Sequence, residues 1–207
     1  MIVGKGAKQR TFAIHEDIAK QHSDFIAAAL RNGFIEGATR TIRLPEEDPQ
    51  HFEVFVNFVY TGRIYSFKED DRRNEGCDDE WNRLGECWIV GDKLLAQNFQ
   101  DAVVDSIGSK IVQGGSHPLS MHELIYPKTV GPNSMKSLLV EIGAFSWTSV
   151  QTKERKIKSD SAEFFLDLAV RLKEMTAEDR KGKKPWVDAG CRYHVHGNER
   201  PCYKTFF

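Results

Sequence analysis

The densest hydrophobic pattern in the chain lies in DPQHFEVFVNFVYTGRIY, residues 48–65. Phe52, Phe55, Val56 and Val59 fall at i, i+3, i+4 and i+7, the spacing of one face of an α-helix. Val54 and Phe58 widen that face, so this helix is expected at the centre of a core. Asp48 is placed to cap it, because a carboxylate accepts from the unpaired N–H groups of a first turn. Pro49 follows at a position where a missing N–H costs nothing. Gly62 can take the left-handed conformation that ends a helix.

Weaker patterns flank it. Residues 2–3 and 11–14 read as two short strands joined by a Gly/Lys turn. Residues 16–21 read as one or two helical turns. Ser23 is placed to cap a second helix carrying Phe25, Ile26, Ala29 and Leu30, ended by Asn32-Gly33. TRTIRL, residues 39–44, alternates polar and apolar side chains as a half-buried strand does. Beyond the central helix, the charged stretch 68–80 reads as a solvated loop. Trp81, Leu84, Trp88 and Leu95 then recur at helical spacing, and Asn98 caps a further helix bearing Phe99, Val103, Ile107 and Ile111. Gly114-Gly115 and Pro118 punctuate the chain.

The second half is less regular. Residues 124–130 form a short piece, and Ser134 is placed to cap a helix carrying Leu138, Leu139 and Ile142. Residues 153–158 (KERKIK) make a basic connector. Asp160 and Glu163 have capping-box spacing ahead of the apolar face Phe164, Phe165, Leu168, Ala169 and Leu172. RKGKK, residues 180–184, breaks the order before a Cys/His-rich tail.

Composition narrows the classes. The chain has 207 residues, 40% of them hydrophobic and 29% charged, which suits one large soluble domain or a domain of common size with an extension. A formal net charge of -1 supplies no global attraction to nucleic acid or an anionic membrane. No apolar run approaches the roughly 20 residues that span a bilayer. The first ten residues lack the apolar core of a secretory signal. A reducing compartment, cytoplasmic or nuclear, is expected, with the four cysteines as thiols.

Candidate chemistry is sparse. Gly4 and Gly6 do not extend into a dinucleotide fingerprint, since Gln9 stands at the third glycine position, and no Gly-Lys-Ser/Thr follows. His15 is expected to hydrogen-bond a strand–helix turn rather than to titrate in catalysis. No serine or cysteine is paired with a readable base, and the G-x-S-x-G elbow is absent, so the chain is not expected to be an enzyme. The tail, CRYHVHGNERPC, gathers Cys191, His194, His196 and Cys202, and thiolate and imidazole are the ligands of a tetrahedral zinc site. The spacing Cys-x2-His-x-His-x5-Cys is not that of a standard finger. Unrelated surface thiols, a disulfide on oxidation or a disordered tail are the other readings. The two basic runs are expected to be solvated faces. An alternative function uses these runs and the tail for nucleic-acid contact.

Two motifs together carry a resemblance. FAIHEDIAKQHSDFIAAAL (12–30) and IRLPEEDPQHFEVFVNFVYTGRI (42–64) resemble the BTB/POZ domain, with its Phe-x-x-His, then a serine and a phenylalanine close together (here Ser23 and Phe25), then an aromatic helix ending in Tyr-Thr-Gly. WIVGDKLLAQNFQDAVVDSI (88–107) resembles the helical hairpin that closes that domain. The layout is most similar to fungal BTB proteins with a C-terminal helical extension. The resemblance implies an α+β fold, a small sheet packed on a helical cluster, followed by an α-helical extension. It implies a BTB/POZ domain over 1–113, a helical extension over 114–178 and a basic, Cys/His-rich tail over 179–207. It further implies a protein–protein interaction module that self-associates. Some family members bind a cullin scaffold as ubiquitin-ligase adaptors, and the positions matching their cullin-facing segment are Phe58, Val59, Tyr60 and Arg63.

Overall fold

The structure, a computed structural model, describes residues 1–31, 33–66, 79–114, 117–118, 120–147, 162–196 and 201–207. Its chain is α+β: a small three-stranded sheet and, among the described residues, mostly helices. By contact density it divides into two units, 1–103 with 195–207, and 104–194.

The first unit holds the sheet, in the order β2-β1-β3. Strand β1 (Ile2–Val3) pairs antiparallel with β2 (Arg10–Thr11) and parallel with β3 (Arg43–Leu44), with Ile2 opposite Thr11 and Arg43. The expected 39–44 strand is therefore shortened to its last two residues. Its start belongs instead to a helix, α3 (Ile35–Thr39), which ends at Arg40 in the left-handed region. Helices α1 (Glu16–His22) and α2 (Asp24–Ala29) precede it. Ser23 caps α2 as expected, its Oγ accepting from the Ile26 N–H at 3.0 Å while donating to the Leu94 carbonyl at 2.6 Å. A cap that also bonds a residue 71 positions away fixes tertiary structure as well as a helix end.

Helix α4 (Pro49–Thr61) is the element that the pattern foretold, with Asp48 accepting from the Gln50 N–H and Gly62 left-handed at φ 68°. Helix α5 (Asp79–Lys93) begins inside the stretch read as loop, at Asp79 and Glu80, whose charge suits a helix N-terminus. Leu94, not Leu95, is the buried residue after it: Leu95 sits at φ 50° and is exposed. Helix α6 (Gln97–Gly114) takes Asn98 into its body instead of using it as a cap.

The core of this unit holds a cluster of aromatic rings. Phe52, Phe55, Phe58 and Phe99 are all fully buried. Their rings meet in sequence: Phe12 to Phe52 at 5.1 Å, Phe52 to Phe55 at 5.6 Å, Phe55 to Phe99 and Phe99 to Phe58 both at 5.4 Å. These are tilted and edge contacts, the geometries ring quadrupoles favour.

Residues 195–207 were expected to belong to a separate tail, but they are part of this unit. The reason is aromatic contact with the core. A short 3-10 turn, Tyr203–Thr205, brings the Tyr203 ring to 6.1 Å and the Phe207 ring to 5.7 Å from Phe58, and Phe207 stacks on His22 at 5.6 Å.

The second unit is helical. Helices α7 (Met121–Ile125), α8 (Ser134–Ser146) and α9 (Ala162–Glu174) bury Met121, Ile125, Met135, Leu138, Ile142, Phe164 and Leu168. Asn133, not Ser134, caps α8, accepting from the Lys136 N–H at 2.9 Å. At Gly143 an added Cβ would stand 3.3 Å from Leu168, so α8 and α9 approach closely there. Of the apolar face expected on α9, Phe164 and Leu168 are buried while Ala169 and Leu172 remain exposed. The capping box expected at Asp160 and Glu163 lies outside the described residues, since Asp160 does. A capping box does occur further on, between Thr176 and Asp179 at the start of α10 (Ala177–Lys181). The compact units break at 103 and 194, the expected boundaries lie at 113 and 178, and the rings of Tyr203 and Phe207 pack on Phe58 and His22.

Gly62 links helix ending and tail packing. A Cβ at Gly62 would fall 2.3 Å from Phe207 Cγ, so the position excludes a side chain by contact as well as by φ. Gly62→Ala should cost about 1–2 kcal/mol from backbone strain alone, with a further cost from displacing Phe207. Chemical denaturation of Gly62→Ala in wild-type and Phe207→Ala backgrounds checks this. A cost that is the same in both backgrounds would show that Phe207 does not hold the position closed.

Candidate functional site

Cys191, His194, His196 and Cys202 come together, with one ligand atom from each within 4.8 Å of all the others. Among the described residues this is the only group of three or more His, Cys, Asp or Glu side chains placed to hold a metal ion. Local geometry explains why. The His194 N–H donates to the Cys191 carbonyl at 3.1 Å, closing a turn that puts the Cys-x2-His pair on one side. His196 is two residues further on and brings a ring nitrogen to the same group. Cys202 stands at the N-terminus of the 3-10 turn, its carbonyl accepting from the Thr205 N–H at 2.9 Å and the Thr205 hydroxyl at 2.8 Å.

The electrostatics suit a cation. The His194 imidazole is 1% exposed, and its Nε2 lies 3.1 Å from Asp105 Oδ1. A carboxylate on Nε2 orients the ring and leaves Nδ1 as the nitrogen for a metal, the outer-shell arrangement common around zinc-bound histidine. The edges of a tetrahedron with zinc–sulfur and zinc–nitrogen bonds of ordinary length are about 3.3–3.8 Å. The four ligand atoms need draw in by only about 1 Å to meet them. Cys191 is exposed and Cys202 half-buried. Cys87 is a contrast: burial pushes its thiol up to about 12, and it is a core side chain without metal chemistry.

The second region of interest is the end of α4. Phe58 and Val59 are buried, at 0% and 3% exposure, so their place is in the core and not on a partner-facing surface. Tyr60 and Arg63 are exposed. The Tyr60 hydroxyl accepts from the His15 N–H at 2.9 Å and lies 2.8 Å from His15 Nδ1. His15 thus does bond near a strand–helix junction, but its partner is a tyrosine on α4. Periodicity alone does not show a pair 45 positions apart.

His22 and Phe207 were not singled out from sequence. His22 is 7% exposed, edge-on to Phe58 at 5.8 Å and stacked on Phe207. The one readable hint was its place at the end of an amphipathic turn. Of the basic runs, 153–158 lies outside the described residues. The second run is engaged locally: Lys183 pairs with Asp188, and Lys184 donates to the Phe145 carbonyl at 2.9 Å. The acidic stretch 67–78 is also outside the described residues.

No family model, curated protein or solved structure matches this chain. Among the described residues no helix is long and apolar enough to cross a membrane.

Burial lowers the His22 pKa below the ordinary imidazole value of 6.5. The folded state therefore resists protonation that the unfolded state accepts. Stability should be full above pH 6.5 and fall as pH drops below it, until the lowered folded value is passed. Unfolding midpoints of wild type and His22→Leu between pH 7.5 and 5 check the sign. An equal slope in both proteins would exclude His22 as the source.

Proposed function

We propose that this chain is a protein–protein interaction module of the BTB/POZ type, self-associating and able to engage a cullin scaffold. The observation that carries the reading is the end of α4. Tyr60 is 42% exposed and Tyr65 53% exposed, with exposed Arg63 between them. Aromatic and arginine side chains dominate binding energy at interfaces, most of all when their support is rigid. Here the support is the buried Phe58, the left-handed Gly62 and the bond from Tyr60 to His15. The order of elements also supports it: an antiparallel pair, helices, a parallel strand, and then the aromatic helix ending in Tyr-Thr-Gly.

The ion suited to the Cys191, His194, His196 and Cys202 group is zinc. Two thiolates and two imidazoles are a closed, structural donor set, with no position left for substrate. Its role is to order a segment too short to build a core of its own, which fixes Cys202 and hence the turn that carries Tyr203. The function read here is binding, with the metal as a structural clamp.

Light scattering of the purified chain at tens of micromolar should give a mass above that of one chain. A strictly monomeric mass would overturn self-association. Arg63→Ala with Tyr65→Ala, both exposed and outside the core, should weaken cullin capture about tenfold or more without lowering the unfolding midpoint. Capture unchanged by the pair would remove this face from the proposal. Metal analysis should find about one zinc per chain, lost in Cys191→Ser. Protein purified without chelator that carries no zinc and takes up none on titration would refute the clamp.

A further inference from the structure

The second unit contains a cleft of 510 Å³ between α8 and α9, bordered also by residues 131–133 and by Arg192 and Tyr193. That volume falls in the range of small-ligand sites. Its polar lining is built from ion pairs. At one end the Lys136 Nζ, with a side chain only 4% exposed, donates to Glu163 at 2.9 Å. At the other, Glu141 Oε1 accepts from Arg171 Nε at 3.0 Å and from Arg192 at 3.4 Å. Lys136 and Glu141 are five positions apart on α8, about 7.5 Å along its axis.

Two buried polar atoms of this lining have no hydrogen-bond partner among the described residues: Glu141 Oε2 and the Tyr193 hydroxyl. Glu141 is 7% exposed and Tyr193 4% exposed. An unpaired buried acceptor costs on the order of 1–3 kcal/mol, so native structures rarely leave one without a reason. One carboxylate oxygen accepts from two guanidiniums, and the other from none of the described residues. Each guanidinium has further N–H donors beyond the one spent on Glu141. The three cations Lys136, Arg171 and Arg192 balance the three carboxylates Glu141, Glu163 and Asp167, so the lining carries no net charge toward a singly charged ligand.

We propose that this cleft binds a small zwitterion of the α-amino-acid class, a function separate from the interaction surface on α4 and from the metal group. The ligand's ammonium donates to Glu141 Oε2, and its carboxylate accepts from the outer N–H groups of Arg171 and Arg192. An α-amino acid carries these two groups on one carbon, matching a carboxylate and guanidiniums that already touch. Its side chain extends past Ser137 toward the Lys136–Glu163 pair. Arg192, its side chain 55% exposed and 3.4 Å from Glu141, is the residue that can shift to admit it.

The twenty free L-amino acids, each at about 10 mM, are screened against the whole chain by thermal unfolding, and hits are measured by calorimetry. At least one should raise the midpoint by about 2–4 °C. Arg192→Ala should weaken that ligand about tenfold, as should N-acetylation of the ligand. Ser137→Trp fills the cleft from an exposed position, and should abolish the shift while leaving the midpoint in buffer unchanged. If no amino acid moves the midpoint, or if the shift survives both Arg192→Ala and Ser137→Trp, the proposal fails and ordered water accounts for the two vacant atoms. Should Ser137→Trp not fold, Arg192→Ala and the N-acetylated ligand decide the matter.

Discussion

Phe58 is the side chain on which the first unit depends. It is fully buried, and rings from three parts of the chain meet it: Phe99 from α6, His22 from α1, and Tyr203 and Phe207 from the segment after the second unit. A single ring that joins segments this far apart in sequence makes their docking mutual. Truncating a buried phenylalanine commonly costs about 3–5 kcal/mol, and the cost rises where neighbours cannot collapse into the space. The family resemblance puts Phe58 at a partner-facing position, whereas its burial places it in the core; Tyr60, Arg63 and Tyr65 on the same stretch are exposed.

The same ring joins fold and metal group. Cys202 is the residue before the turn that positions Tyr203, and that turn is short and exposed apart from its aromatic contacts. A segment of this size has little apolar area to offset its conformational entropy. A metal bound by Cys191, His194, His196 and Cys202 would fix its start, and Phe207 against His22 and Gly62 fixes its end. Cys202 and Tyr203 are adjacent in the chain, so a metal held at the one would bear directly on the packing of the other against Phe58.

Much of the fold was readable because it rests on local rules. The spacing of Phe52, Phe55 and Val59, the cap at Asp48 and the stop at Gly62 are each set within one or two turns of chain, and α4 is found where they put it. Ser23 as a cap and the four tail ligands were likewise visible, since capping and metal ligation demand particular side-chain types. The reading failed where two local signals competed. Residues 39–44 alternate like a strand, but the chain before them turns as α3, where Gly37 has no room for a Cβ against the Arg31 carbonyl, 2.3 Å away. At α8 two capping side chains stand side by side, and the helix starts one residue earlier than expected, with Asn133 accepting from the Lys136 N–H and Ser134 already inside the first turn.

The sequence by itself determined the amphipathic helices, their caps and the chemistry available to the tail, because periodicity, side-chain type and short spacings express these directly. Only the tertiary structure decided which side chains of the α4 end are exposed, that residues 195–207 belong with 1–103, and that Tyr60 bonds His15. It alone brought Glu141 and Tyr193 to one cleft with an atom each to spare. Pairings across tens of residues follow from the summed burial of many apolar groups, and no single stretch of chain carries that sum.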